Sequence, residues 1–164
     1  MSNNDDIDLA TLHEKIKGFL KEINAEIIKE DIEDHFIDVP IDVIFSSDDK
    51  LKLMCRILIT EEWFHFKCLL MFHESLPQKP DDRIALWEEL LVANFNFPEL
   101  TYSIDEEKNV FVEADMPAST TLDYFILEFS SIALGIDHFY NELIPKLNEQ
   151  INKENTADPA RLYT

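Results

Sequence analysis

The side chains in this sequence that could take part in chemistry are few, and their spacing argues against a shared site. His65, Cys68 and His73 could supply nitrogen and sulfur ligands to a zinc ion. They lie on a segment that alternates between apolar and polar residues, which indicates a β-strand, and residues three apart in a strand point to opposite faces. His65 and Cys68 could share an ion only across a bulge, and we predict no metal site.

Nucleophilic catalysis fails on the same geometry. Cys68 with His65 as its base is the one candidate pair, and a regular strand would point the two side chains in opposite directions. The sequence has no G-x-S-x-G turn that would expose a nucleophilic serine. His13 and His138 fall on helical patterns near acidic residues, where a histidine is more often a surface residue than a ligand or a base.

Phosphate-binding loops are excluded by the glycine content. The chain has two glycines, Gly18 and Gly135, and both lie inside helical patterns, so no glycine-rich loop can bring the backbone close to a phosphate. Paired carboxylates are frequent, but they fall at predicted turns and helix starts, where acids cap helices and solvate the surface: Asp48-Asp49, Glu61-Glu62, Asp81-Asp82, Glu88-Glu89 and Glu106-Glu107. We therefore predict a non-enzymatic protein with no catalytic residue and no cofactor.

The elements that position these residues begin with a helix and a strand. Apolar residues at helical spacing predict a first helix over about 8–23, with Asp6 or Asp8 as its cap. A period of two over 36–45 predicts a strand with one solvated face, and Pro40 places it at a sheet edge or a bulge, because proline cannot donate a ladder hydrogen bond. The segment Ser46-Ser-Asp-Asp-Lys50 supplies turn residues.

The next two segments alternate most clearly and predict a β-hairpin. Apolar residues at every second position over 51–59 and again over 64–72 indicate two strands joined at Glu61-Glu62. That loop pairs Ile57 with Phe66, Leu53 with Leu70 and Cys55 with Cys68. The two thiols are then cross-strand neighbours, and we expect them to be buried and reduced.

The second half of the chain predicts helix, hairpin, helix. Asp81 or Asp82 caps a helix that is apolar around much of its surface, so this helix is either enclosed in a core or available to a partner. A hairpin follows, with a polar turn at 105–109 and a stop at Pro117. Ser119 or Thr120 then opens a long amphipathic helix, which Pro145 should bend or end.

Composition restricts the partners. The chain is 46% apolar, with twelve Phe, and carries a formal net charge of −20. This is enough apolar material for one core, so we predict a single domain over 1–154 and a loose tail over 155–164. The charge disfavours nucleic acid and anionic membranes, and no run of about 18 apolar residues could span a bilayer. The first residues lack the features of an export signal, which predicts a cytoplasmic protein.

The fold class that follows is α+β: a largely antiparallel, twisted sheet with helices on one face, in the order α-β-β-β(-β)-α-β-β-α. This order resembles the type III secretion chaperone-like superfamily, including the YbjN-type proteins and related archaeal uncharacterised families. The similarity is carried by four segments: Trp87-Glu-Glu-Leu-Leu-Val-Ala-Asn94, Leu100-Thr-Tyr-Ser-Ile-Asp105, Val110-Phe-Val-Glu-Ala-Asp-Met-Pro117 and Leu122-Asp-Tyr-Phe125. The resemblance implies low pI, frequent homodimers and binding of partner polypeptides, and it brings no catalytic residues.

Two functions from different classes remain. The first is a chaperone-like or adaptor protein that forms a homodimer and offers apolar grooves to a partner polypeptide. Its predicted binding residues lie on the apolar helix and on the strand that contains Pro40: Ile84, Trp87, Leu91, Phe95, Phe97, Val39 and Ile41. The second is a small-molecule-binding or regulatory domain with a pocket between the sheet and the helices, lined by Trp63, Trp87, Tyr102 or Tyr124.

Overall fold

A computed structural model describes residues 8–45 and 49–157, which form one six-stranded sheet covered on one side by helices. Every neighbouring pair of strands is antiparallel, and the spatial order is β1-β2-β3-β4-β6-β5. The strands are β1 Lys29–Asp31, β2 Phe36–Ile44, β3 Lys50–Ile59, β4 Trp63–Met71, β5 Thr101–Ile104 and β6 Val110–Pro117. The predicted α+β class and antiparallel sheet are confirmed.

Four α-helices accompany the sheet. They are α1 Leu9–Glu22, α2 Pro80–Asn96, α3 Leu122–His138 and α4 Ile144–Ala157, with a short 3₁₀ turn at His73–Ser75. A π-helical segment, Phe139–Leu143, joins α3 to α4. None of the helices in the described ranges is long and apolar enough to cross a membrane.

The predicted tail is only partly described. Helix α4 continues to Ala157, and residues 158–164 lie outside the described residues. The division at 154/155 therefore stays a prediction.

One face of the sheet is dry and the other is open. On β2 and β4 the odd- and even-numbered residues respectively point into the core, where Ile37 and Phe66 are almost completely buried. Helices α1 and α3 lie over this face, and the ring of Phe125 packs 5.3 Å from Phe19 and 5.8 Å from Phe66. The opposite face carries charged residues and is solvated, as the alternation of the strands predicted.

The central hairpin has the predicted register. Ile57 pairs with Phe66 and Cys55 with Cys68, and the predicted Leu53–Leu70 pair lies beyond the last paired residues of this ladder. Thr60 donates its backbone N–H to the Trp63 carbonyl and closes the loop at Glu61-Glu62. The Thr60 hydroxyl accepts from the Trp63 N–H and donates to the Trp63 carbonyl, which supplements a turn with no Gly or Asn.

Pro40 occupies a position where a missing N–H costs nothing. The backbone carbonyl of His35 accepts from the Ile59 N–H, and the Phe45 N–H donates to the Asp49 carbonyl. The backbone groups of the odd-numbered residues of β2 therefore bond to β3, and those of the even-numbered residues point toward the opposite side of the strand. Strand β1 pairs with β2 only from Phe36 to Asp38. Pro40 therefore lies on an edge that has no partner strand among the described residues, which agrees with the predicted edge position.

The helix caps are partly as predicted. Asp8 caps α1 by accepting from the Thr11 N–H at 2.9 Å, whereas Asp6 lies outside the described residues. Helix α2 begins at Pro80, with Lys79 at the N-cap, so the prediction that Asp81 or Asp82 caps it was wrong by two or three positions. Proline at the first position needs no N–H partner, and the two aspartates lie in the first turn, where they still favour the helix dipole.

The start of α3 also differs from the prediction. Its N-cap is Thr121 and its first residue Leu122, because Ser119 and Thr120 take part in the turn after β6, where the Thr120 N–H donates to the Pro117 carbonyl. The long apolar stripe continues past Pro145, which lies in α4 directly after the π-helical segment. Such a segment relieves the clash of the proline ring with the preceding turn, so the helix is distorted and does not end there.

Candidate interaction surfaces

Helix α2 has two apolar faces, and only one of them is in the core. Leu86, Leu90 and Ala93 are buried where the helix packs on β5 and α4. Ile84, Leu91 and Phe95, spaced as i, i+7 and i+11, point away from the core, and Phe95 is 88% exposed and Leu91 68%. We call Ile84, Leu91 and Phe95, with the half-buried Trp87 beside them, the α2 stripe.

Side-chain hydrogen bonds fix α2 on the sheet. The Asn94 amide accepts from the Tyr102 N–H at 2.6 Å and donates to the Tyr102 carbonyl at 3.0 Å, as a neighbouring strand would do. The Tyr102 hydroxyl donates to the Gly135 carbonyl at 2.7 Å and lies 3.0 Å from the His138 Nδ1. Burial raises the pKa of Tyr102 well above its usual value, so the hydroxyl stays protonated and remains a donor. The α2 stripe is therefore presented on a helix held in one orientation.

The other predicted binding residues lie elsewhere. Phe97 is partly buried, and its ring packs 4.9 Å from that of His138. Val39 and Ile41 are buried beneath the helices, because they belong to the inner face of β2. The expectation that Val39 faces a partner is corrected accordingly, whereas Ile41, although only 8% exposed, is among the residues that line a groove at the edge of this strand.

A groove follows that strand edge. Its volume is about 360 Å³, and its walls come from the end of α1, from the outer edge of β2 and from α3. Pro40 and Asp42 contribute the strand, while Ala25 and Phe129 contribute apolar walls. Asn141 donates to the Ile44 carbonyl at 3.1 Å and closes one end of the edge. We call this the β2-edge groove.

The residues considered for catalysis or metal binding do not converge. Cys68 is buried, and burial raises its pKa to about 12, so it is no thiolate nucleophile. His65 lies on the open face, 4.0 Å from Asp115, and His73 lies 3.5 Å from its neighbour Glu74. Among the described residues no three His, Cys, Asp or Glu side chains are grouped so that they could hold a metal ion.

The aromatic residues suggested for a small-molecule pocket are dispersed. Tyr102 is buried in the core, whereas Trp63 and Tyr124 line separate open grooves. Trp87 packs at the side of α2. The pocket between sheet and helices remains a hypothesis without a common cavity to support it.

The comparisons with known proteins identify the fold. No family model matches the chain, and no curated protein matches its sequence. A chain of the structure titled "Crystal Structure of the ExsC-ExsE Complex" is similar with a TM-score of 0.55 and 14% identity, over 82% of this chain and 95% of that one. A chain of the "Structure of the HopA1-SchA Chaperone-Effector Complex" is similar with a TM-score of 0.50 and 13% identity, over 79% and 94%.

This likeness confirms the predicted type III secretion chaperone-like fold, because it covers most of each chain. At 13–14% identity it concerns the fold alone. The further similarity to YbjN-type and archaeal proteins stays a prediction.

Proposed function

We propose that this chain is a non-enzymatic, chaperone-like or adaptor domain that forms a homodimer and binds a segment of a partner polypeptide. The observation that carries the proposal is the second apolar face of α2, where Leu91 and Phe95 are more than two-thirds exposed on a rigidly held helix. Large side chains exposed in a row mark interaction sites on soluble proteins. A chaperone–effector complex built on the same fold supports this function. We propose that the chain acts in the cytoplasm, the location that the sequence predicts.

We assign the α2 stripe to a second copy of the chain. A two-fold contact places the same surface on both sides, so the stripe must be complementary to itself. Apolar side chains meet this condition, whereas a charged patch on a protein of net charge −20 would repel its own copy. Burial of four large side chains per copy supplies the apolar centre that such interfaces need.

We assign the β2-edge groove to the partner polypeptide. An extended segment could hydrogen-bond to the unpaired outer groups of Pro40 and Asp42 while its side chains contact Ala25 and Phe129. The sheet would then gain a strand in line with β1. This mode needs no fixed partner sequence beyond apolar residues at alternate positions.

Light scattering after size exclusion tests the homodimer. We expect a dimer for the native chain and a monomer for Leu91→Glu, because a carboxylate at the centre of the contact is desolvated without a partner. Leu134→Glu is the matched control, since Leu134 is 61% exposed on α3, outside the α2 stripe. A monomeric native chain, or loss of the dimer in the control alone, would contradict the assignment.

Capture from an extract of the native host, followed by binding of the purified candidate, tests the partner. We expect a polypeptide that binds the native chain and Leu134→Glu equally but binds Ala25→Glu at least about tenfold more weakly, since the new carboxylate fills the groove. Circular dichroism must show that Ala25→Glu is folded. Equal binding by all three proteins would place the partner outside the β2-edge groove.

A further inference from the structure

The second edge of the sheet is only partly covered. Strand β5 begins at Thr101, opposite Glu113, and within the described residues no strand pairs with the β5 side of β6 beyond that point, whereas β4 pairs with its other side as far as Pro117. The Asp105 N–H donates to the Asn109 carbonyl, so the odd-numbered residues on this side of the hairpin direct their backbone groups toward β5. The N–H and C=O of Asp115 consequently point outward at a place where no strand lies beside them.

Two grooves meet at this position. One, of about 480 Å³, is bounded by Pro98–Thr101 and by residues of the open sheet face, including His65 and Lys67. The other, of about 350 Å³, is bounded by the end of β6 and the start of α3, with Tyr124 and Met116 among its lining residues. Asp115 and Glu128 line both, so the two grooves adjoin at these side chains and form one concave surface along the edge of β6. We call it the β6-edge groove.

The β6-edge groove carries negative charge without a matching cation. Glu99, Asp115 and Glu128 line it, and no Lys or Arg in the described ranges forms an ion pair with any of the three. Lys67 is paired with Glu113 at 2.8 Å, and His65 lies 4.0 Å from Asp115. Burial raises the pKa of Glu128, and the neighbouring charges of Glu99 and Asp115 raise it further.

We propose that the β6-edge groove binds a cationic, extended segment of a partner polypeptide, which adds a short strand beside Asp115 and places Arg or Lys side chains against Glu99 and Glu128. Two backbone hydrogen bonds at Asp115 fix the register of the segment, and the carboxylates select its charge. Tyr124 and Met116 provide contacts for apolar residues between the cations. A second copy of this chain is a poor occupant, because its net charge is also −20.

The inference rests on the proposed function, and it adds a second segment of the partner with a defined chemistry. Its test uses a fluorescein-labelled peptide of alternating Arg and Val, titrated with the full chain and followed by anisotropy. We expect Glu99→Gln/Glu128→Gln to weaken binding by about tenfold, because each surface ion pair contributes up to about fivefold in affinity. The same peptide with its Val residues N-methylated should also bind more weakly, since it keeps the charge but loses backbone donors.

The control removes the same charge elsewhere. The residues changed in Glu33→Gln/Asp34→Asn lie in the turn between β1 and β2, three to four strands from β6, which corresponds to about 14–19 Å. Equal weakening in this control would mean that the peptide responds to net charge only, and equal binding of the N-methylated peptide would exclude strand addition. Either result overturns the inference.

The two proposals fail separately. Binding of the host partner by Ala25→Glu tests the proposed function. Binding of the labelled peptide by Glu99→Gln/Glu128→Gln tests the β6-edge groove. A partner that is lost only with Ala25→Glu, together with a peptide indifferent to the groove variant, would refute the β6-edge groove and leave the proposed function standing.

Discussion

The two glycines of this chain provide a matched test of its packing, because the same Gly→Ala change should have opposite effects at the two positions. Gly18 is exposed on α1, and a Cβ atom there would have no neighbour within 4 Å. At Gly135 on α3, a Cβ would lie 2.8 Å from the Leu100 Cδ2 and 2.9 Å from the Val112 Cγ2. Both contacts are shorter than van der Waals distance, and both partners are buried.

The magnitudes follow from two opposing effects. Replacing a helix-interior glycine by alanine stabilises by about 1 kcal/mol. Overpacking a core costs about 1–3 kcal/mol, and Val112 cannot turn away easily because its side chain is β-branched and lies in a central part of the sheet. We expect Gly18→Ala to stabilise by about 1 kcal/mol, and Gly135→Ala to destabilise by about 1 kcal/mol once the helix gain is subtracted.

Urea unfolding followed by circular dichroism measures both free energies. For a chain of this size each kcal/mol corresponds to about 2–4 °C in Tm, so the two variants should differ in Tm by about 6 °C. The difference between the two Tm values isolates the packing cost at Gly135, because the unfolded-state effect of alanine is common to both variants. If Gly135→Ala is as stable as Gly18→Ala, then α3 does not approach β6 as closely as described here.

Three further predictions concern stability, pH and thiol chemistry. Asn94→Ala should destabilise by about 2–3 kcal/mol in the same urea assay, because the buried N–H and C=O of Tyr102 both lose their partner; a cost under about 1 kcal/mol would contradict this. The raised pKa of Glu128 means that its ionised form is disfavoured in the folded state. The contribution of Glu128 to stability is therefore fully present below its unfolded pKa, and it is lost as the pH rises through its folded pKa. Glu128→Gln should therefore unfold at a higher Tm than the native chain at neutral pH, with the gap closing near pH 4, and a constant gap would be inconsistent with this origin. Cys55 and Cys68 should not react with a thiol reagent at pH 8 until urea unfolds the chain, because burial raises both pKa values and the reagent attacks thiolate; rapid labelling of the native protein would disprove their burial.

The parts of the fold that the sequence predicted are those in which local pattern and tertiary structure agree. Alternation on two adjacent segments fixed the β3–β4 register, because only one pairing keeps both apolar faces on the same side. The predicted order allows a fourth strand before α2 but assigns no residues to it, and the three polar residues of β1, Lys29–Asp31, show no alternation that would predict a strand there. Strand β1 forms because its backbone can pair with the edge of β2.

The candidate surfaces were harder to predict, because the local pattern does not determine which side of an element faces the core. The pattern of α2 shows apolar residues on most sides, but which side faces the core depends on β5 and α4, which are distant in sequence. Val39 and Ile41 appeared available because Pro40 marks an edge, yet an edge exposes mainly backbone: Val39 is fully buried, and Ile41, 8% exposed, lines the β2-edge groove. Glu99, Asp115 and Glu128 share no motif, and only the folded chain brings them to one groove.

The π-helical segment at Phe139–Leu143 restricts the insertions and deletions that the chain can accept. A π turn takes up one residue more than an α turn, so it sets the rotation at which α4 leaves α3. Lys146 on α4 meets Glu89 on α2 at 2.7 Å only at that rotation. Deleting a single residue here would turn the rest of the helix by about 100° and carry its apolar side away from α2. Insertions and deletions should thus be far less acceptable at 139–143 than in the loops, and they would also displace Asn141 from the Ile44 carbonyl at the end of the β2 edge.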